Sequence, residues 1–186
     1  MTTNEYFLVN HQLAINVELL QNGENVPELD QFVLQIPAPF RMASDLANID
    51  VQALHSLKLN NDTTQALWFY LQAQNQKINT LLTYVLSQQD EKQFHYQATA
   101  FSAGCCIFNC AESQFSLNQN VRLKIFIPEE SAAIYCYASV TAINNNHVEL
   151  TYQQIREEDR ELLIRTSLHI QSKQLKLRAA QRAQSL

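Results

Sequence analysis

The feature that most constrains this chain is a change in the spacing of its apolar residues. Between residues 63 and 90 they recur every three or four positions, whereas after residue 92 they recur every second position. A spacing of three or four is typical of one face of a helix, and a spacing of two is typical of a half-buried strand. The chain therefore predicts a long helix followed by a set of strands.

The strand pattern also occurs near the N-terminus. Residues 12–20 alternate between apolar and polar side chains, which predicts a half-buried strand. Residues 32–36, FVLQI, predict a short second strand that Pro37 and Pro39 close. These segments precede the long helix, so we expect them to pair with strands that follow it.

Four further alternating segments follow residue 92. They begin at Phe94, Val121, Ile134 and Val148. Three asparagines at 144–146 favour a hairpin turn between the last two, because asparagine tolerates positive φ. Several short antiparallel strands at this spacing predict a small barrel, and with the helices this gives an α+β fold.

Two helices are predicted between the first strand and the rest of the barrel. Ser44 or Asp45 is placed to cap one helix that reaches about Leu59, and Thr63 to cap a second that continues to about residue 89. The second helix carries a heptad seam with spacing 4, 3, 4, 3, 4, whose members are Leu67, Leu71, Gln74, Ile78, Leu81 and Val85. A further apolar stripe is formed by Trp68, Leu82 and Leu86. A small sheet cannot cover both stripes, so we expect a second copy of the chain to cover one.

A terminal helix is predicted from about Arg156. Its first turn is acidic, with Glu157 and Asp159, and its far end is basic, with Lys176 and Arg182, as the helix dipole favours. Basic residues in this pattern are more often a solvated helix face than a phosphate site.

Composition excludes several classes of function. The chain has only 2 glycines among 186 residues, and neither glycine-rich phosphate-binding motif occurs. A net charge of -5 argues against a nucleic-acid polymer as partner. No stretch approaches 18 apolar residues, which predicts no membrane span, and MTTNEYFLVN does not resemble an export signal. We therefore expect a cytoplasmic protein with reduced cysteines.

The cysteines and histidines do not form a recognisable reactive site. Cys105, Cys106 and Cys110 have the spacing C-C-x-x-x-C, which differs from zinc knuckles, and adjacent strand residues point to opposite faces. No histidine has a companion motif for nucleophilic catalysis, and G-x-S-x-G is absent. The sequence thus predicts no catalytic residues, no metal, no cofactor and no enzyme activity.

The stretch AFSAGCCIF at 100–108, followed by VRLKIFIP, an NNN hairpin and IREEDRELLIR, resembles the PilZ domain. The inserted segment LWFYLQAQNQKINTLLTYVL is similar to an atypical branch whose inserted helices associate, typically into tetramers. The resemblance implies a six-stranded barrel and a role in cyclic di-GMP signalling. It divides a single domain at 1–186 into first strands at 1–40, oligomerising helices at 41–91, the rest of the barrel at 92–155 and a C-terminal helix at 156–186.

The chain departs from both motifs with which PilZ domains bind cyclic di-GMP. The R-x-x-x-R motif is missing from the N-terminal segment, where the family carries it: the first 40 residues contain no arginine or lysine, and Arg156, Arg160 and Arg165 lie in the terminal helix. In the D/N-x-S-x-x-G motif only Ser102 is kept, while Ala100 and Cys105 replace the acidic or amide residue and the glycine. The resemblance therefore implies weak or no binding, with Ser102 as the one candidate ligand residue.

These observations predict a non-enzymatic, homo-oligomeric adaptor, most simply a tetramer. Its protein partner would belong to motility or pilus control, as the resemblance implies. The alternative is a genuine cyclic di-GMP receptor that uses an atypical site.

Overall fold

A computed structural model describes residues 6–21, 23–47, 62–110, 114–144 and 146–184. Six strands are present in these ranges: β1 (Val9–Leu19), β2 (His95–Phe101), β3 (Cys105–Asn109), β4 (Asn120–Ile127), β5 (Ala132–Asn144) and β6 (His147–Gln154). The helices are α1 (Leu29–Gln35), α2 (Ala38–Ala47), α3 (Asp62–Ser87) and α4 (Glu157–Gln184). Single 3₁₀ turns, Lys92–Phe94 and Pro128–Glu130, precede β2 and follow β4.

The six strands close into an antiparallel barrel in the order β1-β2-β3-β6-β5-β4. The N-terminal strand joins both β2 and β4, which closes the barrel across the helical insertion. Inward-facing residues of all six strands form one core, including Ile15, Phe108, Leu123, Ile134 and Leu150. The predicted barrel and the predicted alternation are confirmed, and Asn144 pairs with His147 at the predicted hairpin.

The prediction of a strand at residues 32–36 is wrong, because these residues lie in α1 and at its end. Phe32, Ile36, Phe40 and Ala43 are all buried at helical spacing. They form a second core with the outward-facing aromatic residues of β5, where the ring of Phe32 lies 6.0 Å from that of Tyr137. Five apolar residues cannot by themselves distinguish a strand from a helix, and here the outer wall of the barrel decides.

The predicted start of the next helix is also corrected. Helix α2 begins at Ala38, directly after Pro37, so Ser44 and Asp45 lie inside the helix and do not cap it. The rest of that predicted helix, from residue 48 to Leu59, lies outside the described residues. Thr63 lies in the first turn of α3. The helix was predicted to continue to about residue 89 and ends at Ser87, which confirms its predicted length.

Helix α3 packs on the barrel through one side only. Leu82 and Leu86 join the second core, and Trp68 is also buried. The segment that follows α3 is held by Asn16 of β1. The Oδ1 of Asn16 accepts a hydrogen bond from the backbone N–H of Glu91 (2.8 Å), and its Nδ2 donates one to the carboxylate of Asp90 (2.7 Å).

Helix α4 follows β6 as predicted, and its first half covers one end of the barrel. Leu162 and Leu163 are fully buried in the barrel core. Beyond Ile170 nearly every side chain is exposed, because the helix extends past the barrel. No helix among the described residues combines the length and apolar character that crossing a membrane requires.

Candidate functional site

The corner between β2 and β3 contains the one residue that the sequence offers as a ligand contact. Ser102, Ala103 and Gly104 connect Phe101 to Cys105, which confirms AFSAGCCIF as a strand corner. The N–H of Ser102 donates to the carbonyl of Cys105 (2.8 Å), and the N–H of Tyr152 donates to the carbonyl of Gly104 (2.9 Å). The corner is thus tied to itself and to β6.

The Ser102 hydroxyl is engaged inside this corner. Its oxygen accepts hydrogen bonds from the N–H groups of Gly104 and Cys105, both at 3.1 Å, and the side chain is 0% exposed. These bonds satisfy two backbone donors that the turn would otherwise leave unpaired. A ligand would have to displace protein partners to reach this hydroxyl.

Arg160 closes the corner from the side of α4. Its Nη1 donates to the carbonyl oxygen of Ala103 at 2.7 Å, and its guanidinium lies 5.6 Å from the ring centre of Tyr6. Glu157 adds an ion pair at 3.7 Å. The sequence places Arg160 in the terminal helix but does not reveal this contact, although an arginine in the first turns of a helix that covers a barrel end is a usable signal.

Arg156 is also committed to the protein. It donates two hydrogen bonds to the carboxylate of Asp159, at 2.9 and 3.0 Å, and Asp159 is 0% exposed. A two-pronged guanidinium–carboxylate pair holds the first turn of α4. Arg156 and Arg160, at the start of α4, therefore both support the fold next to this corner.

The four cysteines are free and buried. Burial raises the pKa of the thiols of Cys106 and Cys136 far above their usual range, so neither is a thiolate at neutral pH. Cys106 faces the barrel core, whereas the sulfur of Cys105 lies 3.4 Å from the Ser102 hydroxyl. Within the described ranges no group of three or more His, Cys, Asp or Glu side chains is arranged to hold a metal ion.

The heptad seam of α3 is exposed to solvent in the described structure. Its five apolar members, Leu67, Leu71, Ile78, Leu81 and Val85, are 41% to 66% exposed, and Gln74 is partly exposed among them. Phe69, Tyr70 and Tyr84 add exposed aromatic surface to the same helix. This many exposed large apolar side chains on one helix is unusual for a monomeric protein.

Comparison by sequence gives no relatives: no family model matches the chain, and no curated protein does. Comparison by structure finds a protein of Xanthomonas campestris reported as a tetrameric PilZ domain that self-assembles through a helical bundle. The similarity has a TM-score of 0.52 at 12% identity and covers 94% of this chain and 93% of that chain.

The Bacillus subtilis inhibitor of motility (MotI/DgrA) is similar with a TM-score of 0.48 at 14% identity over 93% of this chain. That match covers 53% of the inhibitor, so this chain spans about half of its length. The similarity to the Xanthomonas campestris protein shows that the barrel, its inserted helix and its terminal helix have a PilZ-like fold, which confirms the fold that the sequence resemblance implied.

Proposed function

Starting from a PilZ-like fold, we propose that this chain is a non-enzymatic, oligomeric signalling adaptor in bacterial cyclic di-GMP pathways. It acts in the cytoplasm by association with a protein partner, in motility or pilus control. Its dinucleotide site is degenerate and binds cyclic di-GMP weakly or not at all. The alternative remains a receptor with an atypical site.

The single observation that carries the proposal is that the polar groups of the β2–β3 corner are buried and hydrogen-bonded to other protein groups. Ser102 is fully buried with its hydroxyl bonded to the turn, and Arg160 covers the carbonyl of Ala103. A charge-assisted hydrogen bond contributes about 1.5–3 kcal/mol, and micromolar affinity requires about 8 kcal/mol. A chain without cations in its first 40 residues therefore lacks the groups that would hold the phosphates.

The exposed seam of α3 supports the oligomeric part of the proposal. The Xanthomonas campestris protein is reported to form its tetramer through a helical bundle, and α3 presents an uncovered heptad surface in the same fold. If the α3 of a second copy packed against these five apolar side chains, their surface would be removed from water. Gln74, as the polar member of the seam, would set the register at some cost in stability.

The first experiment is a calorimetric titration of the purified chain with cyclic di-GMP at moderate salt. We expect no saturable heat at micromolar ligand, because the cationic groups and the acceptor at position 100 are missing. The variant Ser102→Ala is expected to give the same trace. A defined stoichiometry with a Kd near 1 µM would reject the degenerate site and favour the receptor.

The second experiment measures mass by light scattering. The chain is expected to have a mass several times its 21.4 kDa, and the triple variant Leu71→Glu, Ile78→Glu, Leu81→Glu a lower one, since buried charges disfavour the interface. The matched control adds the same charge outside the seam, at Gln72, Gln76 and Thr80, and should keep the parent mass. An unchanged mass in the seam variant would remove the seam from the interface.

A further inference from the structure

A cavity opens between helix α4, the start of β1 and the 3₁₀ turn Pro128–Glu130. Its volume of about 290 Å³ lies near the lower end of the range for small-molecule sites, about 300–1,000 Å³. Among the described residues that line this α4 cavity, none belongs to the α3 seam or to the β2–β3 corner. The proposed function therefore does not use the cavity.

The local sequence explains how α4 and β1 line the cavity. One face of α4 forms a wall, with residues spaced 4, 3 and 4 apart: Thr166, Ile170, Lys173 and Leu177. In β1, His11 and Gln12 lie opposite a single residue of β2, because the pairing shifts between Asn10 and Leu13. Such a β-bulge breaks the regular alternation of side chains. From this bulge His11 lines the cavity.

Two polar atoms of the lining residues are buried without a hydrogen-bond partner among the described residues. They are the hydroxyl oxygen of Thr166 and Nε2 of His11. Thr166 is 2% exposed. Burying a polar atom without a partner costs free energy, and such atoms are rare in folded proteins. Because both side chains line the same cavity, one polar ligand group bound there would satisfy both atoms.

The charged groups of the lining favour a cation. They are the carboxylates of Glu129 and Glu130 and the ammonium of Lys173, while the two histidines count as neutral in the formal charge of the chain. The Nδ1 of His169 lies 3.2 Å from Oε1 of Glu130, so that carboxylate has a partner. The Oε1 of Glu129 lies 3.6 Å from Nε2 of His11, which is too long for a hydrogen bond. A donor between these two atoms would bond both.

We propose that the α4 cavity binds a primary alkylammonium group. An ammonium has three N–H donors and no acceptor. Three acceptors are available to it: the carboxylate of Glu129, the hydroxyl of Thr166 and the Nε2 of His11 in the tautomer protonated at Nδ1. The alkyl chain packs against Ile170 and Leu177 of the same wall.

Two side-chain rotations give the ammonium access to these acceptors. The side chain of Glu129 is 61% exposed, so it can turn away from His11 and close again over the ligand. Threonine in a helix populates two χ1 rotamers, which exchange the positions of its methyl and hydroxyl groups. The described His, Cys, Asp and Glu side chains form no group of three that could hold a metal ion, which favours the organic cation.

The first test titrates the purified chain with n-pentylammonium chloride and follows the methyl resonances of Thr166 and Ile170 by NMR. We expect saturable shifts with a Kd of about 1 mM or tighter. Pentanol lacks the charge and pentyltrimethylammonium lacks the N–H donors, so each should bind about tenfold more weakly. Equal affinity for pentanol would overturn the proposal, because the cavity would then be only apolar. Absence of saturable shifts with all three probes would also overturn it.

The variant Thr166→Val removes the hydroxyl at nearly constant shape. Its Kd, followed at Ile170, should rise about tenfold, whereas its urea midpoint should stay or rise because an unsatisfied buried group is removed. The matched control Thr141→Val removes a hydroxyl of β5 outside the cavity and should keep the parent Kd. A lower urea midpoint of Thr166→Val with an unchanged Kd would show that the hydroxyl serves the fold and not a ligand.

Charge recognition is tested at Glu129 and Lys173. Glu129→Gln should raise the Kd about fivefold or more, whereas Glu158→Gln, an exposed position outside the cavity, should leave it unchanged. Lys173→Met should lower the Kd, because it removes a like charge from the lining. Saturable binding in Lys173→Met but not in the parent chain would overturn an external ligand, since Lys173 would then supply the ammonium itself.

Two further probes separate the sources of the ammonium group. Nα-acetyl-lysine amide presents it as a peptide does, and acetylation of its side chain removes the charge. Tighter binding of this amide than of n-pentylammonium, lost on side-chain acetylation, would assign the cavity to a lysine of a partner protein, and the opposite order would assign it to a free amine. Both results are independent of the mass measurements that test the proposed oligomer, because the α3 seam does not line the cavity.

Discussion

The barrel and helix α3 differ in how far their apolar residues are buried. Along β5 every residue from Ala132 to Ala138 is buried, because the inward residues meet the barrel core and the outward ones meet α1, α2 and the end of α3. Among the described side chains of α3 only Trp68, Leu82 and Leu86 are buried, and the apolar members of the seam from Leu67 to Val85 are exposed. The barrel core is covered within the described residues, whereas this face of α3 is not covered by them.

Because of this difference, substituting an apolar residue should change the free energy of unfolding by different amounts in the two regions. An apolar side chain in the barrel contributes to the stability of the single chain through burial and close packing. An exposed apolar side chain of the seam contributes little to that stability, because it is not removed from water in the described structure. Mutations in the two regions should therefore separate folding from assembly.

The largest expected effect is in the barrel core. Phe108 is 0% exposed and contacts Tyr96 and Phe115 edge to face, so Phe108→Ala should lower the free energy of unfolding by about 3–5 kcal/mol. Leu81→Ala should change it by less than about 0.5 kcal/mol in dilute solution, because Leu81 is an exposed surface position. Urea denaturation at low protein concentration measures both, and similar losses would show that the seam is buried within the single chain.

A smaller effect is expected at the start of α4. Arg156→Ala leaves the buried carboxylate of Asp159 without its two-pronged partner, which should cost about 3 kcal/mol. The matched control Arg178→Ala removes an exposed arginine from the same helix and should cost less than about 0.5 kcal/mol. Equal unfolding midpoints for the two variants would mean that the helix start does not support the barrel.

The smallest effect concerns the joint between α3 and the barrel. The hydrogen bond from Lys124, assisted by its charge, lowers the pKa of Glu91 below 4.5. The stabilisation is therefore present above the pKa of the unfolded chain and is lost as the pH falls through the lower folded value. Because Glu91 is 44% exposed, solvent screening limits it to a few tenths of a kcal/mol.

The measurement for this joint compares the urea midpoint of Glu91→Gln with that of the parent chain at pH 7 and at pH 3. The difference at pH 7 should shrink toward pH 3, because the parent carboxylate becomes protonated as the pH falls through its lowered pKa. A difference that is the same at both pH values would assign the effect to packing and not to charge.

Local pattern was sufficient for most of the barrel. Alternation over residues 121–127 and 134–142, with a hairpin between 144 and 147, corresponds to β4, β5 and β6. The same reasoning failed at residues 32–36, because Phe32 and Ile36 are four residues apart and their burial depends on Tyr135 and Tyr137 of a strand a hundred residues later. A short apolar segment takes the conformation that its distant neighbours can cover.

The strand corner around Ser102 was predictable from the sequence, but the contacts of its side chain were not. The lack of arginine and lysine before residue 41 was visible in the sequence, and Ser102 as a ligand residue stays a prediction. The sequence did not reveal that the Ser102 hydroxyl bonds its own turn or that Arg160 reaches the carbonyl of Ala103, 57 residues away. Hydrogen-bond partners across such separations follow from the docking of α4 on the barrel, which no local spacing encodes.

The sequence by itself determined which long segments are helices and which are strands, the heptad spacing of the seam, the scarcity of glycine and the absence of arginine and lysine before residue 41. These properties are set by nearest neighbours along the chain and by composition. Only the tertiary structure decided which apolar side chains are buried, which groups Arg156 and Arg160 bind, and which apolar side chains of α3 and α4 are exposed among the described residues. The physical reason is that burial and charge pairing depend on groups brought together from distant parts of the chain, so they exist only once the barrel has closed.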